Sequence, residues 1–222
     1  LLFTSFHPSD QRFLDRLGCT GRFARPEGSD YLSVRSSNTG GNKIDAFLSR
    51  TVDYQATVDP DTGHVSATAS IAVHNDAPSG GLPNYVIGNS AGEATGTNIS
   101  YVSVYTPLRL KQATINGASA ATEPQHEFGG QVYSVSLAVA PASTSVLTLD
   151  LEGDVAPSAV YTVALLPQAS VEADLVSVTI RTADPAVVVT NADGLDQHDD
   201  SWTTRRKGGE STVVSLGFSR QG

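Results

Sequence analysis

The chain has no methionine, one cysteine, one tryptophan and 14 basic residues among 222. Each scarcity excludes something. With Cys19 alone there is no intrachain disulfide, so packing must hold the fold. A single thiol fits a reducing or an oxidising compartment equally. The 14 basic residues face 23 acidic ones, for a net charge of −9 and a pI near 4.8. Such a chain has no electrostatic footprint for nucleic acid and no polybasic patch for anionic lipid. The one basic cluster, Arg205-Arg206-Lys207 before Gly208-Gly209, reads as the tip of a hairpin. No apolar run reaches membrane-spanning length. No histidine stands at zinc-ligand spacing from another histidine or from Cys19, and there is no Gly-x-Ser-x-Gly elbow.

What is present points to β structure. Hydrophobic residues make up 39% and charged residues 17%, which excludes a disordered chain. Val and Thr, whose branched side chains suit a pleated surface, are abundant. From Thr51 to Val58 the pattern has period two, with Val52, Tyr54, Ala56 and Val58 on one face. The turn Asp59-Pro60-Asp61-Thr62-Gly63 follows. Val65 to Val73 then alternates again, so the two runs predict a long hairpin. Further strands are expected near 99–105, 111–115, 132–139, 146–151, 160–166, 175–181, 187–190 and 212–218, with 191–209 as a connection before the last. One short helix is expected near residues 9–18. Ser9 is its N-cap, Phe13, Leu14 and Leu17 its apolar stripe, and Gly18 its left-handed cap. The fold expected is mainly β: an antiparallel β-sandwich, Ig-like or jelly-roll-like, with one short N-terminal helix. Residues 75–98, rich in Gly, Pro and Asn, read as a long loop. That loop divides 1–74 (helix plus hairpin) from a sandwich at 99–222, or lies on one continuous domain 1–222. The opening Leu1-Leu2-Phe3-Thr4 reads as a strand of a longer protein.

Candidate chemistry is sparse. Asn38, Asn42, Lys43 and Asp45 flank Gly40-Gly41, whose amides can face an anion. Against that, the loop lacks the full phosphate-loop pattern and can simply turn the chain, with Lys43 and Asp45 paired locally. Asp193, Asp196, Asp199 and Asp200 supply closely spaced oxygens of the kind calcium takes, but without EF-hand spacing, so a solvated loop is the favoured reading. No other cofactor is implied. Trp202, flanked by Asp200 and Ser201, can stack on a sugar ring or anchor a hairpin to the sandwich.

The order of several segments resembles the C-terminal part of the "domain of unknown function 4012" family. These are Ser9-Asp10-Gln11 with Leu14 to Gly21, Asp30 to Val34, Asn38, and Asn42-Lys43-Ile44-Asp45-Ala46-Phe47-Leu48. The strand Thr51–Val58 follows, then Asn75-Asp76-Ala77-Pro78, Gly81-Leu82-Pro83 with Tyr85-Val86, Val102 to Pro107, and Tyr161 to Gln168. The resemblance covers about residues 1–180. It implies an extracytoplasmic place in an actinobacterial cell envelope, behind an N-terminal membrane helix and near surface polysaccharide. It carries no established activity. Partners expected on this reading are a surface polysaccharide, an envelope protein or the N-terminal part of the same protein. A non-catalytic binding module is the leading expectation. An enzyme acting on cell-wall glycan or its lipid carrier, with its site at Asn38–Asp45, and a structural spacer are the alternatives.

Overall fold

The computed structural model describes residues 3–17, 19–20 and 28–220. In chain order these form α1 (Pro8–Arg16), β1 (Asp30–Asn38), a 3₁₀ turn (Ile44–Phe47), β2 (Leu48–Val58), β3 (His64–Asn75) and α2 (Asn84–Ile87). Next come β4 (Asn98–Thr106), β5 (Arg109–Ile115), β6 (Ala118–Ser119), β7 (Glu123–Glu127), β8 (Gly130–Val139) and β9 (Ser143–Asp154). The last are β10 (Val160–Leu166), β11 (Leu175–Thr182), β12 (Val187–Asp193), β13 (Asp196–His198), β14 (Ser201–Lys207) and β15 (Thr212–Arg220). Two sheets result. The first has the order β12-β15-β10-β1-β4-β8-β7, the second β13-β14-β11-β2-β3-β9-β5-β6. Each draws strands from both sides of residues 75–98.

The expected alternation holds in the hairpin. β2 and β3 pair without a break from Leu48↔Asn75 to Val58↔Val65. Val52, Tyr54, Ala56 and Val58 lie beside Val65, Ala67, Ala69, Ile71 and Val73 in one buried core with Leu32, Val34, Val102, Val104, Leu149, Val163 and Val178. The turn is tied by Asp59, whose carboxylate accepts from the Asp61 amide and the Thr62 hydroxyl. Gly63 has φ +76, and a Cβ there would lie 2.2 Å from the Val155 carbonyl oxygen. Only glycine fits such a position.

The sandwich is not purely antiparallel, and the reason is topological. β1 pairs with β10 in parallel, and β2 with β11 in parallel. The chain passes from the first sheet to the second between β1 and β2, and again between β10 and β11. Two arches therefore stand side by side and run the same way. They add one parallel pair to each sheet without the helical crossover that βαβ units use. Residues 208–211 carry the chain back from β14 to β15, so Arg205-Arg206-Lys207 ends a strand before an inter-sheet crossing and is not a hairpin tip.

Other details also depart from expectation. The N-cap of α1 is His7, not Ser9, because Pro8 takes the first helical position, where its missing amide costs nothing. Gly18 lies outside the described residues. No residue of α1 is buried, and Phe13 and Leu17 are exposed. The long loop contains a second helix, the single-turn α2. The segment expected as a connection at 191–209 contains β13 and β14, which pair with each other and, through β14, with β11.

Candidate functional site

The two arches frame a cleft of ≈ 460 Å³ at one end of the sandwich. One wall is Ser36, Asp45 and Leu48 to Arg50 from the first arch; the other is Gln168 to Glu172 from the second. Arg50 lies in the floor. Its inward direction follows from strand parity, since it precedes Val52 and Tyr54 by two and four residues. Asp174 has the same relation to Val176 and Val178. The parallel register places Thr51 opposite Leu175, which sets Arg50 beside Asp174.

Every nitrogen of the Arg50 guanidinium is used. Nε and Nη2 donate to the two Asp174 carboxylate oxygens at 3.0 and 2.7 Å. Nη1 donates to Ser36 Oγ at 2.8 Å and Nη2 to the Val34 carbonyl at 3.2 Å. Arg50 thereby ties the second sheet to the first. Gln168 completes the wall: its amide donates to the Ser36 carbonyl at 2.9 Å and accepts the Ser36 N–H at 2.7 Å, standing in for strand pairing beyond Leu166. The buried charges neutralise each other, and the network is satisfied. At the rim Lys207 Nζ meets Glu172 at 2.9 Å. What remains open to a ligand is the Ser49 and Ser170 hydroxyls, the Ser170 proton already given to the Glu172 carbonyl, with the Asp45 carboxylate, Leu48 and Val171; Ser100 and Val73 lie buried beneath. The walls are thus a mixture of hydroxyls, aliphatic side chains and the carboxylates of Asp45 and Glu172.

Three of the four loop candidates come together. Asn38 Nδ2 donates to Asn42 Oδ1 at 2.8 Å and to Asp45 Oδ2 at 3.1 Å. Asn42 Oδ1 also accepts the Ile44 N–H at 3.1 Å, and its amide donates to the Gly88 carbonyl. The Gly40 N–H, offered above to an anion, donates to Asn38 Oδ1. These groups spend their hydrogen bonds on the shape of the loop. A small apolar cluster of Ile44, Ala77 and Ile87, with Phe47 and Val86 against it, pins the loop to α2. Asn75 adds to this, its buried amide donating to the Gly96 and Val139 carbonyls. Asp45 reaches the cleft wall. Lys43 is exposed, outside the cleft, and forms no ion pair with Asp45.

The remaining candidates lie elsewhere. Trp202 sits on β14 opposite Ile180 and packs, half-buried, against the main core. Asp193 ends β12 in the first sheet, whereas Asp196 begins β13 in the second. Among the described residues no three acidic, His or Cys side chains converge to hold a metal ion.

Sequence reasoning missed Arg50, Asp174, Ser36 and Gln168. It also missed a second polar cluster in the core. Asp30 on β1 is fully buried, and its Oδ2 accepts the phenol hydroxyls of Tyr54 on β2 and Tyr161 on β10, each at 2.5 Å. Its Oδ1 has no partner among the described residues. Burial pushes the Asp30 carboxyl up from 3.8 to about 6, against the opposing effect of the two phenols. Both phenols are held well above their ordinary range by burial and by the Asp30 charge, so they remain donors.

No protein-family model and no curated relative matches the chain. Among solved structures it is similar to a nutrient-binding protein of Legionella pneumophila, at 7% identity and a TM-score of 0.48, over 85% of this chain and 71% of that one. It is also similar to yeast LTA4 hydrolase, at 9% identity and a TM-score of 0.45 over 89% of this chain. A third is an M1 zinc metallopeptidase of Deinococcus radiodurans, at 14% identity and a TM-score of 0.40 over 77% of this chain. The chain spans 31% and 42% of the length of those two enzymes. Likenesses this loose do not bear on the cleft.

Proposed function

We propose that this chain is a non-catalytic, extracytoplasmic module of the cell envelope that binds a surface polysaccharide, taking a sugar unit in the cleft between the two arches. The observation that supports it is the cleft itself. Its volume of ≈ 460 Å³ lies in the range of small-molecule sites. Its buried charges are internally neutralised, and its walls offer hydroxyls beside aliphatic patches. The Ser49 and Ser170 hydroxyls suit the equatorial oxygens of a sugar, and Leu48 and Val171 suit its apolar face. The envelope location rests on the family resemblance, and the reading calls on no cofactor.

The test is calorimetric titration of the domain with oligosaccharides released from actinobacterial wall polysaccharide. Ala169 is exposed and lines the cleft, so Ala169→Trp fills the space without touching the core. Loss of at least tenfold in affinity with unchanged Tm is expected. Absence of saturable binding by the parent protein defeats the proposal.

A further inference from the structure

A second surface is built differently. On the outer face of the first sheet, Tyr101 and Tyr105 project from β4 on the same side, four residues and so roughly 14 Å apart. Each phenol is fixed by a carboxylate from the edge strand β7. Tyr101 Oη donates to Glu123 Oε2 at 2.5 Å, and Tyr105 Oη to Glu127 Oε2 at 2.9 Å. Phe128 extends the row, its ring centroid 6.5 Å from that of Tyr105.

Phe128 is costly in two ways. It is 67% exposed, and it holds φ +49, a left-handed conformation in a turn where Asn or Gly is usual. Nothing in the packing of the core requires a ring there. A strained, exposed aromatic beside two carboxylate-anchored tyrosines is an arrangement for contact.

The chemistry of the face selects the occupant. The open positions beside the rings are Ser37, Ser103 and Ser136, while Ser134 and Val132, on the same face, are buried beneath them; the face lacks the aliphatic residues of a protein-binding core. Ser103 and Ser134 are hydrogen-bonded to each other at 2.8 Å. Arg35, opposite Ser103 on β1, places a positive charge near Tyr105. Flat rings, hydroxyls and oriented carboxylates together match a sugar chain. Its ring faces stack on aromatics, and its hydroxyls donate to carboxylates.

We propose that Tyr101, Tyr105 and Phe128, with Glu123 and Glu127, form a platform that receives an uncharged polysaccharide chain lying across the outer face of the first sheet, separate from the cleft. This rests on the reading of the chain as a glycan-binding module but uses another surface. Variants of each surface tell a failure of the platform from a failure of the cleft.

The experiment is affinity electrophoresis in wall polysaccharide together with titration of short oligosaccharides, on the parent, Phe128→Gly, Tyr101→Ala, Tyr101→Phe and Ala169→Trp. Glycine accepts the backbone of residue 128, so Phe128→Gly should keep its Tm. Phe128→Gly and Tyr101→Ala are expected to weaken retardation in polysaccharide at least fivefold while the oligosaccharide affinity of the cleft stands. Tyr101→Phe, which keeps the ring, should retain most of the retardation. Ala169→Trp should do the reverse of the platform variants. Parental retardation in both Phe128→Gly and Tyr101→Ala overturns the platform and leaves the cleft reading in place. Loss of protein self-association in these variants, with glycan binding intact, marks the face as a protein interface and also overturns it. A parent that binds no glycan overturns both readings.

Discussion

Arg50 and Asp174 lie side by side in the floor of the cleft, each less than a tenth exposed, joined by two hydrogen bonds of 3.0 and 2.7 Å. They meet because two inter-sheet arches run in parallel, which aligns β2 with β11. The pair therefore records the topology as well as supporting the cleft.

Breaking it from one side should be expensive. Arg50→Ala leaves the Asp174 carboxylate buried without a counter-charge and removes the link to Ser36 and Val34. A loss of about 3–5 kcal/mol is expected for a buried pair broken this way. The double variant Arg50→Met/Asp174→Leu removes both charges and should recover most of that loss. Urea denaturation of both variants checks this. A single variant costing under about 1 kcal/mol would show that the pair is effectively solvated.

Half of this was legible in the sequence. Continuing the period of β2 backward from Val52 puts Arg50 on the core face, and continuing β11 backward from Val176 does the same for Asp174. Opposite charges at core positions are a signal in their own right. What periodicity does not contain is the neighbour. It assigns a face to each residue, while the pairing of β2 with β11 depends on how 39–47 and 167–174 cross between sheets. The antiparallel expectation failed for the same reason. Asp30 was harder still, because it opens its strand and the two tyrosines that hold it are 24 and 131 residues away. The Asn38–Asp45 loop stood out by composition, yet composition does not separate amides that bind a ligand from amides that shape a turn.

That distinction is measurable in two neighbours. Asn42 bonds Asn38, Ile44 and Gly88 through one carboxamide, so Asn42→Ala should cost about 2 kcal/mol. Lys43 is exposed, and Lys43→Ala should change stability by no more than about 0.5 kcal/mol. Thermal unfolding of the two variants gives the comparison. A glycan affinity that collapses in Lys43→Ala at unchanged Tm would move the binding site to the loop.

Trp202 tests the same issue on β14. Packed against the core opposite Ile180, it should matter to stability more than to binding. Trp202→Ala is expected to cost about 2–3 kcal/mol, below the range of a fully buried ring. As the single tryptophan, it also reports on folding by its emission. Its spectrum should shift to the red on unfolding and stay unchanged when saturating oligosaccharide is added. A quench or shift on titration would place sugar against this ring.

Asp30 makes stability depend on pH in a direction opposite to that of most carboxylates. Its folded value, about 6, lies above its ordinary 3.8. Between those values the folded chain holds a proton that the unfolded chain has released. Stability from this group is thus fully present below about pH 4 and is lost as pH rises through about 6. Two pKa units correspond to about 3 kcal/mol as an order of magnitude. Asp30→Asn removes the titration while its carbonyl still accepts from Tyr54 and Tyr161. The difference in unfolding free energy, parent minus Asp30→Asn, should therefore fall between pH 4 and 6 and be flat above 7. Other carboxylates cancel in that difference, so urea denaturation at four pH values isolates the effect. Tyr54→Phe and Tyr161→Phe each remove a hydrogen bond that favours the charged form, and should move the step to higher pH. A flat difference curve would mean that water reaches the Asp30 oxygen that here has no partner, and that the carboxylate is solvated in the folded core.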